Sequence, residues 1–363
     1  MKKTQENEKH LPAYVALYQK LREEIVRGVY THGSKLPSKR VTAAEEGVSV
    51  ITVEHAYALL ADEGYVEARE RSGYFVTFRE GDGFLSSAMR TAPAHPQIKK
   101  ALPASEEACS FPLLARTMRR VLSVYGEELL EKSPGRGCLF LRRELARYLS
   151  RSRGIDTHPD GIVIGSGSEY LYGLVIRLLG RQRGYAIESP SYRMIEQVYR
   201  SFEVVPEKLP LGHDGIESDA LWQTNAAVLH LTPYRSFPSG VSASASKRHE
   251  YLRWADRDGR YLVEDDFESE FSVSRKHEET LFSHTRRENV IYLNTFSKTI
   301  SPSMRVGYMV LPPSLAERFE QELGFYSCTV PTFEQYVLGE LIAAGDFERH
   351  INRVRRQKRR AAK

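Results

Sequence analysis

Six short apolar runs do most to constrain how this chain can fold. They are GIVIG (161–165), YAIES (185–189), AAVLHL (226–231), YLVED (261–265), VIYLN (290–294) and RVGYMVL (305–311). Each is short, rich in Val, Ile, Leu and Tyr, and followed by turn-forming or polar residues. Longer stretches of helical period lie between them, among them 169–179 and 246–258. Strands covered on both faces read as near-continuous apolar runs, and strand–helix alternation builds parallel sheets. An α/β domain is expected, with an open, mainly parallel sheet and helices on both faces. In such sheets ligands sit beyond the C-terminal strand ends, so the residues just after each run are the ones to read.

GSGSEY (165–170) follows the first run and opens a helix with Ser168 and Glu169. Its free N–H groups suit an anion, and its glycines let backbone approach closely. SPSYR follows the second run and carries Tyr192, placed either to lay its ring over a flat ligand or to pack on the sheet. The fourth run ends in Asp265-Asp266. A carboxylate at a buried strand end is costly unless paired, and a protonated ring nitrogen is a good partner. Thr295, Ser297 and Lys298 follow the fifth run, and Arg305 opens the sixth. A lysine in a pocket loses basicity by desolvation, and a neutral amine condenses with aldehydes. The hydroxyls and the guanidinium suit a phosphate. Each feature alone is more often structural. Together, in this order and each at a strand end, they define a site for pyridoxal 5′-phosphate (PLP).

The first eighty residues follow another pattern. Leu17, Leu21 and Ile25 recur every fourth position, one face of a helix that Gly28 can stop. Pro37 bars Leu36 from helix, and Ser38 can cap a second helix through Glu45. Gly47 turns the chain. Ser49 caps a third helix with Val53, Ala56, Leu59 and Leu60 as its buried face and Gly64 as its stop. YVEAR and YFVTF then read as two strands joined at Glu70-Arg71-Ser72-Gly73. This is a winged helix-turn-helix plan, whose third helix enters the major groove of double-stranded DNA with its N-terminal residues at base edges. Those residues are Ser49, Thr52 and His55. Ser38, Lys39 and Arg40 suit a backbone phosphate, and Arg71 at the wing tip suits backbone or minor groove. The competing reading is a helical module for protein contacts whose charges are merely solvated.

The chain has 363 residues, enough for two domains, and its 41% hydrophobic and 27% charged content is that of a globular protein. No apolar run reaches membrane-spanning length, and MKKTQENEKHLP lacks the apolar stretch of a signal peptide. Cys109, Cys138 and Cys328 show neither metal-site nor disulfide spacing, so a cytoplasmic protein without a metal is expected. Net charge is +5, yet residues 1–80 hold 12 basic and 12 acidic residues, and the excess sits largely in RVRRQKRRAAK. DNA binding must therefore rest on where basic residues stand. Residues 80–112 are rich in Gly, Pro, Ala and Ser and read as a linker between domains at 1–79 and 113–363.

LYQKLREEIVRGVYTHGSKLPSKR and VSVITVEHAYALLADEGYVEARERSGYFV resemble the GntR-type winged helix over residues 13–78. SKTISPSMRVGY resembles the Schiff-base segment of fold-type I aminotransferases. Phe111-Pro112, Gly137, LRRELARYL, SRGI, Pro190/Tyr192, TPYRSFPSG and VEDDFESEF fit that fold in order. Joined, the two parts resemble the MocR/GabR family of transcriptional regulators. The resemblance implies that Lys298 condenses with PLP and that Asp265 pairs with the pyridine nitrogen. It also implies that Tyr192 stacks, that Ser168, Glu169, Thr295, Ser297 and Arg305 surround the phosphate, and that the protein is a homodimer.

The chain departs from that family at five places. Val50-Ile51 stand where an arginine usually follows the capping serine, and neither can make a bidentate guanine contact. Phe267 replaces a tyrosine that reaches the cofactor's phenolic oxygen. Arg235-Ser236 replace His-Gln, and Glu169 replaces a glutamine. The sequence stops at RRQKRRAAK, where relatives continue into a subdomain carrying an arginine that grips a substrate carboxylate. Arg193 and Arg235 are the candidate substitutes. The basic tail reads as a solvated helix end or a second DNA contact. The expected function is a PLP-binding regulator that senses an amine, an amino acid or PLP itself. The alternatives are a working aminotransferase with an appended DNA-binding module, and a regulator whose degenerate domain has lost PLP.

Overall fold

The four-residue spacing of Leu17, Leu21 and Ile25 becomes the buried face of α1 (Ala13–Val26). It packs against α2 (Lys39–Glu46) and α3 (Val50–Asp62). The computed structural model describes residues 12–70, 72–79, 109–257, 259–267, 269–272, 279–285 and 288–361. Ser38 accepts a hydrogen bond from the Val41 N–H, and Ser49 accepts one from the Thr52 N–H, so both expected caps form. Gly47 closes α2 in the left-handed region at φ 63°, where a side chain would be strained. The wing pairs β1 (Val66–Arg69) with β2 (Gly73–Val76), Arg69 opposite Gly73. Arg71 lies outside the described residues. The buried face of α3 is Val53, Ala56, Tyr57 and Leu60. Leu59, expected inside, is half-buried, and Tyr57 takes the interior because its hydroxyl finds the Thr42 hydroxyl at 2.8 Å and the Pro37 carbonyl at 2.9 Å.

The chain divides into two units, Met1–Lys100 and Ala101–Lys363. Most of the proposed linker, 80–108, lies outside the described residues. Its last residues already belong to structure, because Phe111-Pro112 open α4 (Phe111–Tyr125).

The second unit is built on one sheet. Its strands are β3 (Ile162–Gly165), β4 (Tyr185–Ser189), β5 (Glu207–Gly212), β6 (Gly215–Ile216), β7 (Val228–Leu231), β8 (Tyr261–Asp265), β9 (Val290–Thr295) and β10 (Gly307–Val310). Their spatial order is β3-β10-β9-β8-β7-β4-β5-β6. The pairs β9–β8, β8–β7, β7–β4 and β4–β5 are parallel, and β10 runs antiparallel to both β3 and β9. All six expected strands are present. The hairpin of β5 and β6 was not anticipated, since Pro210 inside EKLPLG reads against a strand.

Successive strand residues feed opposite cores. Ile162, Ile164, Tyr292, Tyr308 and Val310 pack on one face with α5 (Leu139–Arg153) and the helix Thr332–Ala343. Val263, Ile291, Leu293 and Met309 pack on the other with α6 (Ser168–Leu179), α7 (Arg193–Ser201) and the helix Pro313–Leu323. This two-faced burial is why the strands are apolar throughout. It also brings the C-terminal ends of β3, β4, β7, β8 and β9 to one edge of the sheet.

Candidate functional site

At that edge a cavity of about 280 Å³ is lined by Ser168, Glu169, Tyr192, Asp265, Thr295, Ser297, Lys298 and Arg305. Every cofactor residue singled out in the sequence is among them. Tyr172, Ile195, Thr232, Phe237 and Phe267 complete the wall.

Asp265 ends β8 and is 3% exposed. The Tyr172 hydroxyl donates to its Oδ2, and His230 Nε2 stands 3.6 Å from the same oxygen. His230 Nδ1 meets the Tyr199 hydroxyl at 3.0 Å, and its ring stands edge-on to Tyr172 with centroids 4.9 Å apart. Burial, reinforced by the adjacent carboxylate, drives the Tyr172 phenol well above its ordinary pKa, so it stays a donor. Neither support was foreseen. Tyr172 had a weak signal, since it lies one helical turn after Ser168 and shares its face. His230 had none, being one polar residue inside an apolar run.

A second acidic layer lies behind Asp265. Arg153 Nε is 3.4 Å from Asp266 and Nη2 is 3.7 Å from Glu270, with all three side chains almost wholly buried. Tyr292 donates to Asp266 at 2.7 Å, and Asn294 donates to Glu270 at 2.7 Å. Burial raises the Asp266 carboxyl, and Arg153 pulls it back. Glu264 accepts the N–H groups of Leu281 and Phe282 at 2.9 and 3.0 Å. Burial nonetheless raises it to about 8.

The anion nest forms where β3 turns into α6. Gly167, the residue before the helix, has φ 95°, and a Cβ there would stand 3.2 Å from Arg305 Nη2. Backbone and guanidinium thus approach in a way only glycine permits easily. Arg305 Nη2 lies 2.8 Å from Glu169 Oε2, so the guanidinium is already paired with a carboxylate of the chain. Thr295 Oγ1 donates to Ser297 Oγ at 3.1 Å and accepts the Ser297 N–H at 3.2 Å.

Lys298 lines the cavity with its Nζ 4.5 Å from the centre of the Phe267 ring. The expectation that the pocket desolvates it is corrected, because Lys298 is exposed. It sits on the loop after β9. Tyr192 is 40% exposed at the start of α7, edge-on to Phe237 at 6.1 Å. Arg193 and Arg235, proposed as carboxylate clamps, are not among the lining residues. Ser236, in place of the usual glutamine, donates to the buried Glu188 at 2.7 Å.

In the winged helix, Ser38 and Ser49 are caps, Lys39 Nζ is 2.6 Å from Glu54, and Arg40 is exposed. Thr52 Oγ1 lies 2.8 Å from Ser49 Oγ, and His55 stands edge-on to Tyr14 at 5.7 Å.

Fold and site define a DNA-binding head joined to an aminotransferase-like body. Residues 13–76 match the bacterial regulatory proteins of the gntR family, and residues 92–363 match aminotransferase class I and II. The chain belongs to the MocR/GabR family, in which these two domains are fused. It is 30% identical over 361 residues to the HTH-type transcriptional regulator YdeL of Bacillus subtilis, covering 97% of this chain and 78% of YdeL. It is 28% identical over 376 residues to the "Probable rhizopine catabolism regulatory protein MocR" of Rhizobium meliloti, covering 95% and 75%. Among solved structures it is similar to LysN, the α-aminoadipate aminotransferase of Thermus thermophilus, solved with N-(5′-phosphopyridoxyl)-L-leucine. That match has 29% identity and a TM-score of 0.62 over 70% of this chain and 66% of LysN. This chain thus spans about three quarters of the regulators and just under two thirds of that enzyme. Among the described residues no helix is long and apolar enough to cross a membrane, and no cluster suits a metal ion.

Proposed function

We propose that this protein is a PLP-binding transcriptional regulator. Residues 1–79 bind a double-stranded DNA operator, the segment between them and α4 joins the two domains, and the domain that opens with α4 at Phe111 senses an amine, an amino acid or PLP itself. The observation that carries this reading is the gathering of Asp265, Lys298 and Arg305 around one cavity. Its size, about 280 Å³, lies near the lower edge of the roughly 300–1,000 Å³ usual for small-molecule sites. The donor set suits the cofactor: a buried carboxylate for a pyridinium, an amine for an aldehyde, and a guanidinium beside a helix start for a phosphate.

Bound there, PLP supplies an aldehyde that amines capture reversibly. Asp265 holds a proton on the ring nitrogen, and Tyr172 and His230 keep its carboxylate fixed. Arg305 and the backbone of Gly167 and Ser168 would hold the phosphate, and Glu169, paired with Arg305 at 2.8 Å, would have to share it or give way. Lys298, which lines the cavity, would be the chain's own amine partner for that aldehyde, in competition with an effector amine. Tyr192 and Phe237 flank the entrance. An effector that binds two arrangements of the protein unequally shifts their populations and hence DNA affinity. The protein works as a cytoplasmic homodimer, which suits paired half-sites. Phe267, unable to donate to the phenolic oxygen, favours sensing over turnover.

Purified protein mixed with PLP and then dialysed free of unbound cofactor should stay yellow, and Lys298→Ala treated in the same way should be colourless. A wild type that never takes up PLP leaves a DNA-binding regulator whose second domain is a scaffold. Brisk transfer of an amino group from donor to keto acid would make the protein an enzyme instead.

A further inference from the structure

The residues expected to read bases are engaged within the winged helix itself. The Thr52 N–H and hydroxyl both meet Ser49 Oγ, at 3.1 and 2.8 Å, and the His55 ring rests against Tyr14. Lys39 is tied to Glu54. Beside the exposed cap Ser49, the first turn of α3 presents apolar side chains to solvent: Val50 is 43% exposed and Ile51 is 65% exposed. The core side of α3 is already complete, with Val53, Ala56, Tyr57 and Leu60 at 0% exposure. Val50 and Ile51 add nothing to that core. Branched apolar residues on an exposed helical turn are also poor helix formers. Neither is among the side chains packed in or against the core of this unit.

That turn is the part of a recognition helix that stands at base edges. In the major groove, guanine, cytosine and adenine present donors and acceptors, and thymine alone adds an apolar group, its C5-methyl. A branched aliphatic side chain pressed on the other bases would strip water from polar groups and leave them unpaired. Pressed on a thymine methyl it buries apolar surface against apolar surface.

We propose that Val50 and Ile51 read the 5-methyl groups of thymines, so that this protein selects A·T pairs where an arginine would select guanine. The proposal rests on the DNA-binding reading of residues 13–76. Each methyl removed from water contributes about a fourfold gain in affinity, the value of one buried CH₂.

The test uses the full-length chain and a duplex recovered with it from a random-sequence library. Each thymine of that duplex is replaced in turn by deoxyuridine, which removes the methyl and keeps the pairing and the O4 acceptor. Binding should weaken about fourfold at one or two thymines per half-site. The doubly substituted Val50→Ala, Ile51→Ala protein should not feel the same replacements, and Ile51→Arg should recover duplexes richer in guanine at those positions. Indifference of the wild type to deoxyuridine at every position overturns the proposal and leaves DNA binding intact. Unchanged deoxyuridine sensitivity in the double variant overturns it too. Failure to recover any preferred duplex overturns both the proposal and the reading beneath it. The scan with wild-type protein stands without any variant, so a misfolded variant cannot hide the answer.

Discussion

Arg305 Nη2 and Glu169 Oε2 stand 2.8 Å apart, so the guanidinium best placed to hold a phosphate already carries a carboxylate of its own chain. Both side chains are well exposed, at 52% and 38%, so the pair itself is weak. Any phosphate entering the nest must share Arg305 with Glu169 or push it aside. Glu169→Gln removes that competitor and keeps the shape. It should tighten PLP binding about two- to fivefold, read from an absorbance titration, and Arg305→Ala should loosen it by more. A Glu169→Gln protein with unchanged affinity would mean the carboxylate swings clear at no cost.

Arg153 balances two buried carboxylates, Asp266 at 3.4 Å and Glu270 at 3.7 Å. Replacing it with methionine keeps the bulk and strands both acids in the interior. Breaking a buried pair from one side typically costs about 3–5 kcal/mol. Burial already raises the Asp266 carboxyl and Arg153 pulls it back, so without Arg153 it can escape by taking up a proton, and Arg153→Met should lose more stability near pH 8 than near pH 5. Urea unfolding midpoints at the two pH values check this. An equal loss at both would show that Arg153 acts through packing alone.

The positions of Asp265, Lys298 and Arg305 were legible because each is fixed by its distance from an apolar run, and strand ends in a parallel sheet converge. The supports of Asp265 were not. Tyr172 and His230 reach it through tertiary placement, β7 lying beside β8 and α6 packing on the same face of the sheet, and no local pattern encodes that. The openness of Lys298 was missed for the same reason, since desolvation depends on walls contributed by distant segments. In the winged helix the period placed α3 correctly but put Leu59 where Tyr57 lies. Hydrophobicity ranks leucine first, and the Thr42 and Pro37 partners that admit the tyrosine hydroxyl are tertiary. Caps were read well because Ser38 and Ser49 act within three residues of themselves.

Burial pushes the Glu188 carboxyl up to about 8, against hydrogen bonds from Ser236 and the Thr232 backbone that pull it down. In the unfolded chain it titrates near the ordinary glutamate value of about 4.3. Between those values the folded protein holds a proton that the unfolded chain has lost, so stability falls as pH rises from about 4.3 to about 8. Glu188→Gln is neutral throughout and should flatten the decline. Near pH 4 it should match the wild type, and near pH 9 it should be more stable by several kcal/mol. Glu264, raised by burial to about 8 as well, should leave part of the slope in place. Denaturant midpoints across the range decide it, and identical slopes for wild type and variant would place the Glu188 titration elsewhere.

Lys39 is bound to Glu54 across 2.6 Å, with 33% and 54% of the two side chains exposed. Such a pair contributes at most about 1 kcal/mol to folding, so Lys39 can exchange Glu54 for a phosphate at little cost. Lys39→Ala together with Arg40→Ala should leave thermal stability nearly unchanged. It should also lower the slope of log affinity against log salt by about 1.8, the value for two lost phosphate contacts. Glu54→Ala frees the ammonium without adding a contact and should strengthen binding to all duplexes alike, by about two- to fivefold at low salt. Gel shifts over a salt series separate these outcomes. A slope that stays put in the double variant would move the phosphate contacts away from the start of α2, and a sequence-dependent gain in Glu54→Ala would make Glu54 a base reader rather than a restraint on Lys39.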